Sequence, residues 1–309
     1  DKRIGIVMIQ HEFGLFRCED EQSVLKFIQL LEKPVVTVFH TVLPQPDGKR
    51  KAQVRNIGLF SDAVIVMTQH AADILKNDYQ LPAKKLSVIP HGTHLVPHLN
   101  KEELKQKFQL KGKKILSTFG LLSSGKGIET TLDALPHIIS KEPDVVFLII
   151  GKTHPGILAS EGETYRNRLK AKIKTQLLED HVLFINKYLS LKELLEYLQL
   201  TDIYLFTSRD PNQSVSGTFS YAMSCGCPII STPIPHAREF LDENTGMIVP
   251  FDQPDELAAA IERLLGDEAL QNRFRSNALE RIAPTAWENS SIAHAGLFRQ
   301  LSSGKIELQ

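Results

Sequence analysis

Two stretches of this chain place glycines, hydroxyls and a lysine at spacings suited to holding an anion. The first is Phe119-Gly120-Leu121-Leu122-Ser123-Ser124-Gly125-Lys126-Gly127. It stands between an apolar, β-strand-like run and a helical period. Such a loop leaves backbone N–H groups unpaired at a helix N-terminus, with the Lys126 charge beside them, which suits a diphosphate. It is not a P-loop, because Gly127 follows the lysine where Ser or Thr is needed, and the G-x-G-x-x-G dinucleotide fingerprint is absent. Taken alone, it is equally a glycine loop with a surface lysine. The second stretch is Gln213-Ser214-Val215-Ser216-Gly217-Thr218-Phe219-Ser220-Tyr221-Ala222-Met223. Ser216, Gly217 and Thr218 would supply first-turn amides and two hydroxyls, although Ser216 also reads as a plain N-cap. Phe219, Ala222 and Met223 read as core. A third candidate, His40, closes a β-branched run. That position carries catalytic side chains in some sheets and hydrogen-bonded rim residues in more; His11 and Glu12 follow an earlier run in the same way. His91 and His94 have no acidic or thiol partner nearby in sequence, and no metal site is expected.

Positioning these residues requires a parallel sheet. Apolar runs over residues 4–9, 35–39, 63–67 and 86–89 alternate with helical periods over 20–31, 51–60 and 71–76. Strands alternating with helices specify a doubly wound α/β architecture. Residues 93–112 read as a connecting stretch with one helix, 101–108. The alternation then restarts, with strands over 114–119, 145–150, 182–185, 203–206, 228–231 and 247–249. Helices are expected over 165–178, 191–200, 217–224, 237–241, 255–265, 268–281 and 287–301, besides one that follows Gly127. Both glycine-bearing loops fall at the carboxyl ends of strands, where doubly wound sheets bind ligands.

Bulk properties narrow the classes. A chain of 309 residues suggests about two domains. Lys+Arg and Asp+Glu are equal at 36 each, so no net field steers the molecule toward nucleic acid or anionic lipid. The basic stretches at 101–114 and 166–174 read as solvated helix faces. Cys18, Cys225 and Cys227 are odd in number, and Cys225-Gly226-Cys227 lacks the two-residue spacer of zinc knuckles; all three read as reduced thiols, pointing to the cytoplasm. The longest apolar run, residues 145–150, is far short of the ~20 needed to span a bilayer, and nothing reads as a signal peptide.

In order and spacing, these stretches resemble the family-4 (group 1) retaining glycosyltransferases of GT-B fold. Val36-Thr37-Val38-Phe39-His40-Thr41 is similar to a family strand ending in a histidine that faces the donor sugar. Ser61-Asp62-Ala63-Val64-Ile65-Val66 and Val88-Ile89-Pro90-His91-Gly92 are similar to the family's "aDavi" strand and "IPNG" exit. Residues 120–127 resemble its "GRLxxxKG" loop, residues 217–230 its "EAMAxGxPVV" stretch, and Val249-Pro250 with Asp255 its "LVxPxDxxxLAxAI" segment. Leu121 stands where the family has an arginine, and Gln213 and Tyr221 where it has paired glutamates. The family's opening strand and Gly-rich loop have no counterpart before Ile4, which implies an incomplete first domain with an unpaired sheet edge.

The resemblance implies two Rossmann-like domains. Residues 1–95 would form a partial acceptor-side domain, 96–112 a linker, 113–284 the sugar-nucleotide domain, and 285–309 a helix crossing back to the first. It implies retaining transfer of a hexosyl unit from a nucleoside diphosphate sugar to an acceptor hydroxyl. The amides of Gly120, Leu121 and Leu122, the side chain of Lys126 and the helix end at Ser216, Gly217 and Thr218 would stabilise the leaving diphosphate, so no metal or organic cofactor is expected. His40 would touch the donor sugar, Gln213 and Glu239 its hydroxyls, and residues 187–191 the base, with Tyr221 at the ribose. The alternative is a degenerate module that binds a sugar nucleotide or glycan without turnover. A nicotinamide oxidoreductase lacks its fingerprint here. Peripheral membrane contact, a homo-oligomer, and a partner completing the first domain stay open.

Overall fold

The computed structural model describes residues 3–13, 15–16 and 22–303, which divide into two compact units. Cys18 and the first residues of the helix expected at 20–31 lie outside the described residues. One unit comprises Asp1–Gly92, Asn212–Val215 and Thr285–Gln309, and the other Thr93–Pro211 and Ser216–Pro284.

The first unit is built on strands β1 (Val7–His11), β2 (Val35–Phe39), β3 (Ala63–Val66) and β4 (Leu86–Val88), parallel and ordered β1-β2-β3-β4. Helices α1 (Gln22–Gln29), α2 (Gly48–Phe60) and α3 (Gln69–Asn77) connect them. Strand residues alternate between faces. Val35 and Phe39 pack with Val24, Ile57 and Leu75 on one face, while Val36 and Val38 pack with Ile65 and Ile89 on the other. That second face is covered by Leu297, Phe298 and Leu301 of the last helix, Trp287–Ser302. Helices α2 and α3 start two or three residues earlier than their apolar periods suggest. Asp47 and Thr68 cap them, accepting from the N–H groups of Arg50 and Ala71. The first strand runs later than expected, because Val7 to His11 pair with Val35 to Phe39. His11 is therefore not a rim residue. It is fully buried, its ring against those of Phe13 and Phe39.

The second unit opens with α4 (Lys101–Lys107) and carries a six-stranded parallel sheet of β5 (Lys114–Phe119), β6 (Val145–Ile150), β7 (Val182–Ile185), β8 (Ile203–Phe206), β9 (Ile229–Ser231) and β10 (Gly246–Ile248). Its helices are α5 (Ile128–Lys141), α6 (Pro155–Glu161), α7 (Thr164–Thr175), α8 (Leu191–Leu200), α9 (Gly217–Ser224), α10 (Pro235–Phe240), α11 (Pro254–Leu265) and α12 (Glu268–Ile282), which makes the helix Trp287–Ser302 α13. The strand order is β10-β9-β8-β5-β6-β7. The chain thus builds outward from β5 through β6 and β7, then returns to β5's other side with β8. The switch point lies between β5 and β8, and a crevice opens there beyond the strands' carboxyl ends.

Two expectations are corrected here. The helix of the supposed linker, α4, belongs to the second unit: Leu104 packs with Ile115, Val146 and Leu200, and the rings of Phe108 and Tyr197 are 4.2 Å apart. Two of its three lysines also depart from the solvated face expected, while Lys107 is exposed as expected. Lys101 and Lys105 close on Asp202 at 2.9 and 2.8 Å, and Lys105 is buried. Cys225 and Cys227 are buried free thiols, raised above the ordinary value by burial. No described helix is long and apolar enough to cross a membrane.

Candidate functional site

The loop after β5 is held in a shape only glycine permits. Gly120 and Gly151, at the carboxyl ends of β5 and β6, both have positive φ, and a Cβ on Gly151 would lie 2.1 Å from the Gly120 carbonyl oxygen. The two strand ends are sewn together by Gly120 N–H donating to Ile150 and Leu122 N–H to Lys152, at 3.0 and 2.9 Å. Further along, Gly127 is left-handed, with the Thr207 carbonyl oxygen 2.1 Å from where a Cβ would stand. Thr207 Oγ1 donates to the Lys126 carbonyl, and Arg209 N–H to that of Gly125. The loops after β5 and β8 therefore form one rigid cradle.

Lys126 points back across this cradle. A Cβ built on Gly120 would lie 3.7 Å from Lys126 Nζ and 3.3 Å from Thr218 Cγ2, so these three residues surround one point. Burial lowers the Lys126 ammonium below the ordinary lysine value of 10.5. No acidic side chain pairs with it among the described residues. Its near neighbour is instead the Phe206 ring, 5.8 Å from Nζ to the centroid. Across the crevice, Ser216 caps α9, its Oγ accepting from Phe219 N–H and lying 3.0 Å from Thr218 Oγ1. The Ser216 N–H donates to Nδ1 of His236, a buried ring lying against Phe219 and Phe240.

These contacts alter the expected donor set. The N–H groups of Gly120 and Leu122 and both polar groups of Ser216 are committed to internal hydrogen bonds, so they are not free for an anion. Among the described residues, that leaves Lys126 Nζ with the amides of Leu121, Gly217 and Thr218, the last two orphaned at a helix start. His236, which fixes the entry to α9, was invisible in the sequence because its partner is a backbone N–H twenty positions earlier.

Beside the cradle lies a cavity of about 540 Å³. Gly120, Leu121, Thr218, Lys187 to Leu191 and Tyr221 are among the residues that line it. Leu121 is 43% exposed, whereas Leu122 is buried. Arg166 is only 2% exposed, so it departs from the solvated face expected of its stretch, whose Arg168, Lys170 and Lys174 are exposed. Its Nη2 donates to the Gly151 carbonyl at 3.1 Å and its Nε to Glu163 at 3.1 Å. Arg166→Met should lower stability by about 1.5–3 kcal/mol, the range for hydrogen bonds from a charged group, and weaken ligand binding by loosening Gly151. Urea unfolding and calorimetry on one preparation would check both; unchanged binding would mean that the support is only structural.

Three expected residues do not line this cavity. Glu239 is on α10, where its carbonyl accepts from Arg281. His40 and Gln213 belong to the first unit. There, His40 Nε2 meets Gln10 Oε1 at 2.6 Å, and the Gln213 amide donates to Val215 at 3.4 Å. Ser214 Oγ donates to the Val42 carbonyl, so residues 212–215 lie against the loop that follows His40. No group of three or more His, Cys, Asp or Glu side chains is placed to hold a metal among the described residues.

Comparison with known proteins accords with this arrangement. The model of the glycosyl transferases group 1 matches residues 100–281, and that of glycosyltransferase family 4 matches residues 20–96. Spore coat protein SA of Bacillus subtilis is 30% identical over 176 residues, covering 56% of this chain and 45% of that protein. The chain thus spans under half the length of that relative. Among solved structures, sucrose-phosphate synthase of Thermosynechococcus elongatus superposes with a TM-score of 0.82 at 22% identity, covering 98% of this chain and 75% of that one. Anabaena HepE in complex with UDP superposes at 0.77 and 19% identity, covering 96% and 79%. With a family model matching more than half its length and a GT-B fold, the chain belongs to the group 1, family 4 glycosyltransferases.

Proposed function

We propose that this protein moves a hexosyl unit from a nucleoside diphosphate sugar to an acceptor hydroxyl, with retention and without a divalent metal. The observation that carries the reading is Lys126, a partly buried ammonium without an acidic partner among the described residues, set beside Gly120 and Thr218 at the switch point. As the bond from anomeric carbon to phosphate oxygen breaks, its electron pair moves onto the diphosphate. Lys126 and the amides of Leu121, Gly217 and Thr218 meet that charge without reorganising. The cavity reaching to residues 187–191 suits a nucleoside. The UDP bound in the HepE complex is consistent with a nucleoside diphosphate as the donor's leaving group. Retention, and roles for His40, Gln213 and Glu239 at the donor sugar, are carried over from the family resemblance.

The charge on Lys126 gives the site a pH signature. Burial favours its neutral form in the free protein, whereas a bound diphosphate favours the charged one. Affinity for nucleoside diphosphate should therefore fall as pH rises toward the ordinary lysine value of 10.5, starting below it, while a Lys126→Arg variant that still binds should show a flatter profile. Calorimetry across that range checks the sign, and a wild-type affinity that rises with pH would contradict it.

Leu121 and Tyr221, where relatives carry charged side chains, favour a second reading, a module that binds without turnover. Release of nucleoside diphosphate from a panel of nucleotide sugars and acceptors decides between them. Release dependent on an acceptor supports transfer; tight binding with no release across the panel supports the module.

A further inference from the structure

We propose that the nucleoside subsite of the second unit does not distinguish ribose from 2′-deoxyribose, so that 2′-deoxyribonucleoside diphosphate sugars fall within its donor class. The inference rests on the nucleotide-sugar reading above. On that reading, with the diphosphate at Gly120 and Thr218 and the base toward Leu191, the pentose would lie near Tyr221, which also lines the cavity. That residue is one turn along α9 from Thr218.

A site selects ribose by offering an acceptor, typically a carboxylate, to the 2′-hydroxyl. A site built around such a hydrogen bond rejects the analogue lacking the hydroxyl strongly, because its own buried polar group is left unpaired. Nothing of that kind stands here. None of the described residues lining the cavity is Asp or Glu, and its charged side chains are Lys152 and Lys187. The carboxylate nearest in sequence to Leu191, Glu193, is engaged by its own loop. Its Oε1 accepts from Lys187 at 2.9 Å, and its Oε2 accepts from both the N–H and the hydroxyl of Ser190. Where the pentose would rest, the wall is an aromatic face. The Tyr221 ring lies 5.7 Å from that of His94, and burial raises its phenol above the ordinary value. Among the described lining residues, removing the 2′-hydroxyl leaves no carboxylate unpaired.

The test is calorimetric titration of the full chain with matched pairs, UDP and dUDP, GDP and dGDP, ADP and dADP. For whichever base binds, the two affinities should agree within about threefold. A ribose preference above about tenfold would overturn the inference while leaving the nucleotide-sugar reading intact. Binding of no member of any pair would overturn that reading, and this inference with it. Tyr221→Glu should create a ribose preference of at least about tenfold, and Tyr221→Phe should leave the ratio unchanged; a Phe variant that changes the ratio would show that the phenol reads the hydroxyl.

Discussion

Replacing Lys126 with alanine should reduce kcat/KM by roughly 30- to 1000-fold, equivalent to about 2–4 kcal/mol, the range for removing one preorganised donor from a developing anion. The protein should lose no stability, and should gain slightly. Burial disfavours the charged ammonium, and no described carboxylate offsets that cost. A group that costs stability where it stands, yet is required for turnover, behaves as a functional residue. Steady-state kinetics and urea unfolding on one preparation test both halves. Equal turnover in the variant would remove Lys126 from the mechanism. A large stability loss would instead mean that it is a structural lysine.

Asp202 should behave in the opposite way. Its carboxylate sits between Lys101 and Lys105 and accepts from the Ile115 N–H at 2.6 Å, while Lys105 also donates to the Lys113 carbonyl. Asp202→Asn should destabilise the second unit by about 3–5 kcal/mol, because one neutral amide would leave two largely buried ammonium groups facing each other. Replacing both lysines by methionine in that background should recover much of the loss, since the penalty lies in the stranded charges. Burial alone would raise the Asp202 carboxyl, but Lys101, Lys105 and the Ile115 N–H together outweigh it and hold it below the ordinary 3.8. A depressed carboxyl contributes stability above its unfolded-state value, which is lost as pH falls through the folded one. The wild type should therefore weaken on acidification below about pH 4, and the Asn variant should show a shallower dependence there. A loss under about 1 kcal/mol in Asp202→Asn would contradict this account, since that is the worth of an exposed pair.

The contrast between these lysines shows what the sequence could and could not reveal. Strand alternation, the glycine loops and Lys126 were legible because they depend on local facts: runs of β-branched residues, and glycines where the chain must adopt positive φ. What was lost depends on partners far along the chain. The helix α4 read as a linker because its buried contacts include two lysines, whose partner Asp202 is nearly a hundred residues away. Arg166 read as a solvated cation because nothing in its neighbourhood announces the Gly151 carbonyl. The helix α6 was missed since it buries none of its residues and so has no apolar stripe to find. At the site, glycine and lysine positions were readable, but not which amides would already be spent inside the fold.

The proposed donor site is the cavity lined by Gly120, Thr218 and Tyr221, with Lys126 holding the diphosphate. Thermal unfolding of the wild type and of Lys126→Ala, each with UDP, GDP, ADP and their sugar conjugates, tests it most directly. A ligand at a hundred times its dissociation constant stabilises the folded state by about 2.7 kcal/mol, a readily visible shift. At least one nucleoside diphosphate should raise the unfolding temperature of the wild type, and the alanine variant should lose most of that rise. No shift with any of them, or a shift of equal size in the variant, would contradict it.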